Sequence, residues 1–199
     1  MIDAGQSRAG QIPLTRNHAG FPEGMAGAAL LHRKRVQTLK FGAEFNRGQV
    51  DRLVRTDGGF IATAYGHEIQ ADTVLMATGV TNHRPTMSDE DHAAAMATGR
   101  LHYCPVCDGF EVIGQDVAVI GDGTHGGEEA LFLRSFTERV TLVPLDESSN
   151  LNAQARRVLE EDGVKLGAGP LERLWLEPSG FRLTFAGQAT VFESPFIRP

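Results

Sequence analysis

The feature that most limits what this chain can fold into is the stretch between residues 116 and 143. Asp116–Ile120 reads as an apolar strand, Gly121–Gly127 as a glycine-rich turn, Glu128 to about Phe136 as a helix and Arg139–Val143 as a second strand. Two strands joined by a helical crossover run parallel, because the helix carries the chain back to the edge from which it started. A parallel sheet places the chain in the α/β class. The turn carries Gly121-Asp122-Gly123-Thr124-His125-Gly126, a G-x-G-x-x-G spacing. Glycine at 121 permits the tight turn, at 123 it lets backbone approach a pyrophosphate, and at 126 it lets helix and strand pack closely. Glycines are common in turns, so the spacing alone is weak; the strand before it and the helix after it strengthen the reading. Gly121, Gly123, Thr124 and Gly126 are therefore the candidate nucleotide residues, against the alternative of a βα turn that binds nothing. The next strand runs into Pro144-Leu145-Asp146-Glu147, which has acids and no arginine. An acid there, Asp146, suits a ribose 2′-hydroxyl and repels a 2′-phosphate, which favours NADH over NADPH. Arg156 and Arg157 on the following helix act in the other direction.

Just upstream lie both cysteines of the protein, in Leu101-His102-Tyr103-Cys104-Pro105-Val106-Cys107-Asp108-Gly109-Phe110. A C-x-x-C pair can be redox-active, metal-binding or inert. A structural zinc site needs four ligands. With two cysteines in the chain, His102 and His125 would have to complete it, and neither stands at a zinc spacing. Buried cysteines often serve only as packing. A redox pair fits the neighbouring nucleotide loop, since the two together suggest electrons moving between a nicotinamide and a disulfide. Asp108 has two readings, proton exchange with a thiolate or a cap of a short turn.

The remainder supports a soluble, cytoplasmic protein. The net charge of −6 disfavours nucleic acid, which calls for clustered Lys and Arg; the one basic run, His32–Arg35, is short. No apolar run is long enough to span a bilayer, and the first residues lack the pattern of a signal peptide. A helix is expected over 24–40, strands over 49–55 and 59–64 as an antiparallel meander, and a strand buried on both faces at Thr73–Ala77. A domain boundary falls near residue 85. Beyond it come a helix capped at Ser88-Asp89-Glu90-Asp91, the stretch described above, a helix over 152–162, and strands at 164–166, 171–176, 181–185 and 190–192. Nearly all seven histidines read as surface residues, and Trp175 as strand packing.

Cys104-Pro105-Val106-Cys107-Asp108-Gly109-Phe110-Glu111 resembles the active-site signature of the low-molecular-weight thioredoxin reductases. The resemblance continues through Asp116–Gly121 and Gly127–Leu131, and Phe21–Gly24, Phe41–Glu44 and Ala77-Thr78-Gly79 resemble that family's flavin domain. It implies an FAD-dependent pyridine nucleotide-disulfide oxidoreductase that is a homodimer at full length. Electrons would pass from NADPH or NADH to FAD, to the cysteine pair, and to a thioredoxin-like protein or a small disulfide. Carried over by position, Cys107 would lie nearest the flavin, Cys104 would attack the substrate disulfide and Asp108 would be the acid. Asn17, Thr78, Gly79 and Asp3 would contact the FAD. The family begins with a strand and a glycine-rich FAD loop and ends with a flavin-domain closing segment, and neither matches here. The chain is thus expected to be the middle of a longer protein: a partial FAD domain over 1–84 and an inserted nicotinamide domain over 85–199, in a Rossmann-like fold with two dinucleotide-binding domains. The alternatives are a truncated, non-catalytic nucleotide-binding remnant and a small-molecule dithiol oxidase.

Overall fold

A computed structural model describes residues 1–145 and 151–198, with Arg198 as backbone only. The chain divides into two compact units. The first comprises Met1–Ile12 and Met25–Thr81, the second Pro13–Gly24 and Asn82–Pro199.

In the first unit, β1 (Ile2–Asp3) pairs in parallel with β2 (Asn46–Arg47), and α1 spans Gly27–Lys40. Three antiparallel strands follow, β3 (Val50–Thr56), β4 (Gly59–Ala64) and β5 (His67–Ala71), in the order β3-β4-β5. The β4–β5 turn is Tyr65-Gly66, with φ of 51° and 75°. Two successive left-handed residues suit the twist of a two-residue hairpin. The strand expected at Thr73–Ala77 does not form, and Leu75 in its middle is 92% exposed. An apolar run becomes a buried strand only beside a hydrogen-bonding neighbour. Among the described residues the parallel pairing in this unit is β1 with β2, and it does not reach residue 73.

The second unit starts its helices with α2 (Asp89–Ala97), where Ser88 Oγ accepts from Asp91 N at 3.1 Å and three acids fill the first turn. Next come the short α3 (Pro105–Asp108) with a 3₁₀ turn over Gly109–Val112, then β6 (Val117–Gly121), α4 (Gly123–Leu133), β7 (Val140–Val143), α5 (Ala153–Glu161) and β8 (Lys165–Leu166). The antiparallel meander β9 (Leu171–Glu177), β10 (Gly180–Phe185), β11 (Gln188–Phe192) precedes β12 (Ser194–Arg198). The main sheet has the order β12-β6-β7-β8, all parallel. Its strand β6 is buried along its whole length. Ala118 and Ile120 point to one side and pack with Phe181, Leu183 and Leu174 of the meander and Ala95 of α2. Val117 and Val119 point to the other, toward Ala130 and Leu133 of α4 and Leu159 of α5. A strand covered on both faces needs a continuous apolar run, and residues 117–120 supply one. The strand β5 was not expected from the sequence, and in the second unit α4 and β12 also differ from expectation. Helix α4 starts at Gly123, inside what reads as the glycine turn, and β12 extends the sheet where no strand was expected.

Candidate redox and nucleotide site

The cysteine pair is positioned by the sheet. His102 bridges in parallel to Phe196 of β12: its N–H donates to Pro195 O at 3.1 Å, and Ile197 N donates to His102 O at 3.0 Å. The chain bends at Tyr103 and reaches Cys104, which caps α3 with extended dihedrals, φ −149° and ψ 99°. Cys107 N and Asp108 N both donate to Cys104 O at 3.0 Å, which closes the turn tightly. Pro105 occupies the first helical position, where its missing N–H costs no hydrogen bond. The turn holds the two Cα atoms 5.3 Å apart, within disulfide range, and Cys104 and Cys107 are bonded.

The loop 13–24 belongs to the same unit and clamps this turn. Asn17 Nδ2 donates to Val106 O at 2.7 Å and to Cys107 O at 3.3 Å. These carbonyls belong to the second and third residues of α3. Arg16 Nε donates to Glu111 Oε1 at 2.7 Å, and its guanidinium lies 5.4 Å from the centre of the Phe110 ring. Asp108 is half-buried, with Oδ2 3.3 Å from Nδ1 of the buried His102. On the other side of the turn, Tyr103 Oη pairs with His92 Nε2 at 2.9 Å, and Arg84 donates to His92 Nδ1 at 2.9 Å. Burial pushes the Tyr103 phenol up, and burial followed by the Arg84 charge holds His92 below its ordinary value.

The nucleotide loop belongs to the same sheet. Phe196 is level with both His102 and Val119, which are therefore two strand spacings, about 10 Å, apart, and Cys104 and Gly121 each follow two residues later in the chain. In open parallel sheets the carboxyl ends of the strands are where ligands bind. Gly121 ends β6, Gly123 and Thr124 open α4, and Gly126 lies in its first turns. A Cβ on Gly126 would stand 2.9 Å from Gly121 C and 3.2 Å from Leu142 Cδ1, so only glycine permits this helix–strand approach. Gly123 has φ +56° and open space where a Cβ would be. Asp122, at the helix N-cap, makes no side-chain cap. Its Oδ1 accepts instead from Leu145 N at 2.8 Å and ties the loop to the end of β7. Among the described residues no side chain caps the first-turn amides of α4, and such amides at a helix start suit a pyrophosphate.

The remaining sequence candidates are scattered. Asp146 lies outside the described residues. Asp3 ends β1, and its Oδ1 accepts from Gly5 N at 2.9 Å. Thr78 and Gly79 are exposed and outside regular structure, with Gly79 at φ +68° and open space around its α-carbon. These three belong to the first unit and Asn17 to the second, so the four form no site within a single unit. Among the described residues no three His, Cys, Asp or Glu side chains gather as metal ligands, and no helix is long and apolar enough to cross a membrane. Sequence reasoning missed His102, which is buried. It also missed the Asn17 contact with the cysteine turn.

A parallel sheet with a glycine-rich βα turn, β6 into α4, and helices and a meander on its two faces defines a Rossmann-like dinucleotide-binding fold. The chain belongs to the pyridine nucleotide-disulphide oxidoreductase family, whose model matches residues 2–170; the thioredoxin-reductase-like proteins of that family use FAD and NADPH. It is similar to the bifunctional thioredoxin reductase/thioredoxin of Mycobacterium leprae, 35% identical over 147 residues, covering 72% of this chain and 31% of that protein. The thioredoxin reductase of Schizosaccharomyces pombe is 31% identical over 176 residues, covering 83% of this chain and 54% of that protein. The crystal structure of thioredoxin reductase from Streptococcus pyogenes superposes with a TM-score of 0.85 at 22% identity, over 100% of this chain and 67% of that one, and so shares the fold. The chain thus spans about a third to a half of the length of these curated relatives.

Proposed function

We propose that this chain carries the redox relay of a thioredoxin-reductase-like enzyme, which reduces a disulfide in a thioredoxin-like protein at the expense of NADPH or NADH. The observation that supports it most is the shared sheet: the His102 segment that leads into the cysteine turn and the strand β6 that leads into the glycine turn lie level on either side of β12, about two strand spacings apart. In this reading residues 85–199 hold the nicotinamide nucleotide, with its pyrophosphate on Gly121, Gly123, Thr124 and Gly126, and residues 1–84 contribute Asp3, Asn17, Thr78 and Gly79 to the FAD. When bound, the two cofactors supply two electrons.

The chain's own residues do the rest. Reduction breaks the Cys104–Cys107 bond and takes up two protons with the two electrons, giving two thiols. Asp108, half-buried on the same turn, hands one proton to a departing sulfur and regains it from water. The thiolate of Cys104 then attacks the substrate disulfide and releases one substrate thiol. Cys107 attacks the mixed disulfide, releases the second thiol and restores the pair. Asn17 keeps the turn in place through the carbonyls of Val106 and Cys107.

The test uses the purified protein supplied with FAD. A Cys107→Ser variant is expected to lose nicotinamide-dependent disulfide reduction and to keep nicotinamide oxidation by an artificial acceptor such as ferricyanide. Survival of both activities refutes the assignment.

A further inference from the structure

His102 is a buried titratable group beside the redox turn that the electron route above does not use. It is 4% exposed. Its ring stacks on Phe196 with centroids 4.7 Å apart and planes 19° apart, while its backbone is bonded to Pro195 and Ile197. The ring orientation is thereby fixed. Nδ1 lies 3.3 Å from Asp108 Oδ2, and Nε2 is buried without a hydrogen-bond partner.

That asymmetry decides the proton. An imidazolium would pair with the Asp108 carboxylate but bury an unpaired Nε2–H. The neutral Nε2–H form would bury an unpaired donor and turn the Nδ1 lone pair toward a carboxylate. The neutral Nδ1–H form places its N–H opposite the carboxylate and leaves only a lone pair unpaired, the mildest of the three penalties. We propose that His102 is a positioning residue for Asp108: as the Nδ1–H tautomer it holds Oδ2 and leaves Oδ1 to exchange protons with the sulfurs of Cys104 and Cys107. The two atoms are within hydrogen-bond distance but the N–H is not aligned on Oδ2, and catalytic hydrogen bonds commonly align only when substrate engages. The other ionisable groups around the turn are occupied elsewhere, Glu111 with Arg16 and Tyr103 with His92. This inference rests on the reading of Asp108 as the acid of disulfide reduction.

Two measurements test it. Nitrogen-15 NMR of histidine-labelled protein should show His102 with a protonated Nδ1 and a bare Nε2, and Asp108→Ala should abolish that preference. His102→Phe keeps a ring on Phe196 but has no donor, and should slow disulfide reduction about tenfold, less than the roughly 100-fold lower limit for losing the proton donor itself. His102→Asn, which restores a donor near the Nδ1 position, should recover most of the rate. A protonated Nε2 in the unmodified protein, or a His102→Phe rate equal to the unmodified one, overturns the role. The tautomer is read without turnover, so an unmodified protein that reduces no disulfide refutes the electron route, whereas the wrong tautomer refutes this pairing.

Discussion

Gly126 and Gly127 are neighbours in α4, yet alanine at the two positions should change stability in opposite directions. Replacing glycine by alanine inside a helix gains about 1 kcal/mol of backbone propensity. At Gly127 the added methyl meets Leu159 Cδ1 at 3.5 Å and Leu151 Cδ2 at 3.7 Å, ordinary contacts that require no movement. The full gain of about 1 kcal/mol should appear. At Gly126 the methyl meets Gly121 C at 2.9 Å, Gly121 O at 3.1 Å and Leu142 Cδ1 at 3.2 Å. Two of these atoms are backbone of a buried central strand and cannot swing aside. Overpacking of this kind costs about 1–3 kcal/mol, and the rigid partner puts it in the upper part of that range. After the propensity gain, Gly126→Ala should lose about 1–2 kcal/mol. For a chain of this size each kcal/mol moves Tm by about 2–4 °C. Thermal unfolding followed by circular dichroism should therefore show Gly127→Ala about 2–4 °C above the unmodified protein and Gly126→Ala below it. A shift of the same sign in both would refute the claim that the helix start is pressed against β6 at Gly126.

Asn17→Ala removes the two donors that clamp the cysteine turn. It should speed reduction of the Cys104–Cys107 bond by dithiothreitol, and an unchanged rate contradicts the clamp. Asp146→Arg should shift preference from NADH toward NADPH by about tenfold, the worth of about 1.4 kcal/mol, read from dissociation constants for the two nucleotides. Burial and then the Arg84 charge hold His92 below its ordinary 6.5. The unfolded chain therefore binds more protons than the folded one as pH falls through 6.5, and the folded state loses stability there. Denaturant titrations between pH 7.5 and 5.5 should show this loss, and His92→Gln should lessen it.

The β6–α4–β7 unit was legible because its apolar run is continuous and its glycines are correctly spaced. The start of α4 was not, since glycines that allow close packing look the same in sequence as glycines that turn a loop. Strand β12 was hidden by Pro195. In this strand Pro195 contributes its carbonyl, to His102 N, and its lack of an N–H does no harm at the sheet position it occupies. With β12 unseen, His102 had no visible partner and read as a surface residue, although burial on Phe196 is what gives it a role. Thr73–Ala77 failed for the converse reason: its composition suits a buried strand, but composition does not supply the neighbouring strand. Asn17 entered only through resemblance, as a flavin contact. Its bonds to Val106 and Cys107 are a long-range tertiary feature that no local pattern encodes.

The most direct test of the account is a thiol count. The protein has two cysteines, joined to each other. With FAD present and oxygen excluded, a stoichiometric addition of NADPH or NADH should produce two new thiols per chain, trapped by alkylation and counted by mass. Cys107→Ser should produce none beyond the one it already carries. Nicotinamide oxidation with no thiols formed in the unmodified protein would show that the Cys104–Cys107 pair lies off the electron path, and would contradict the central claim.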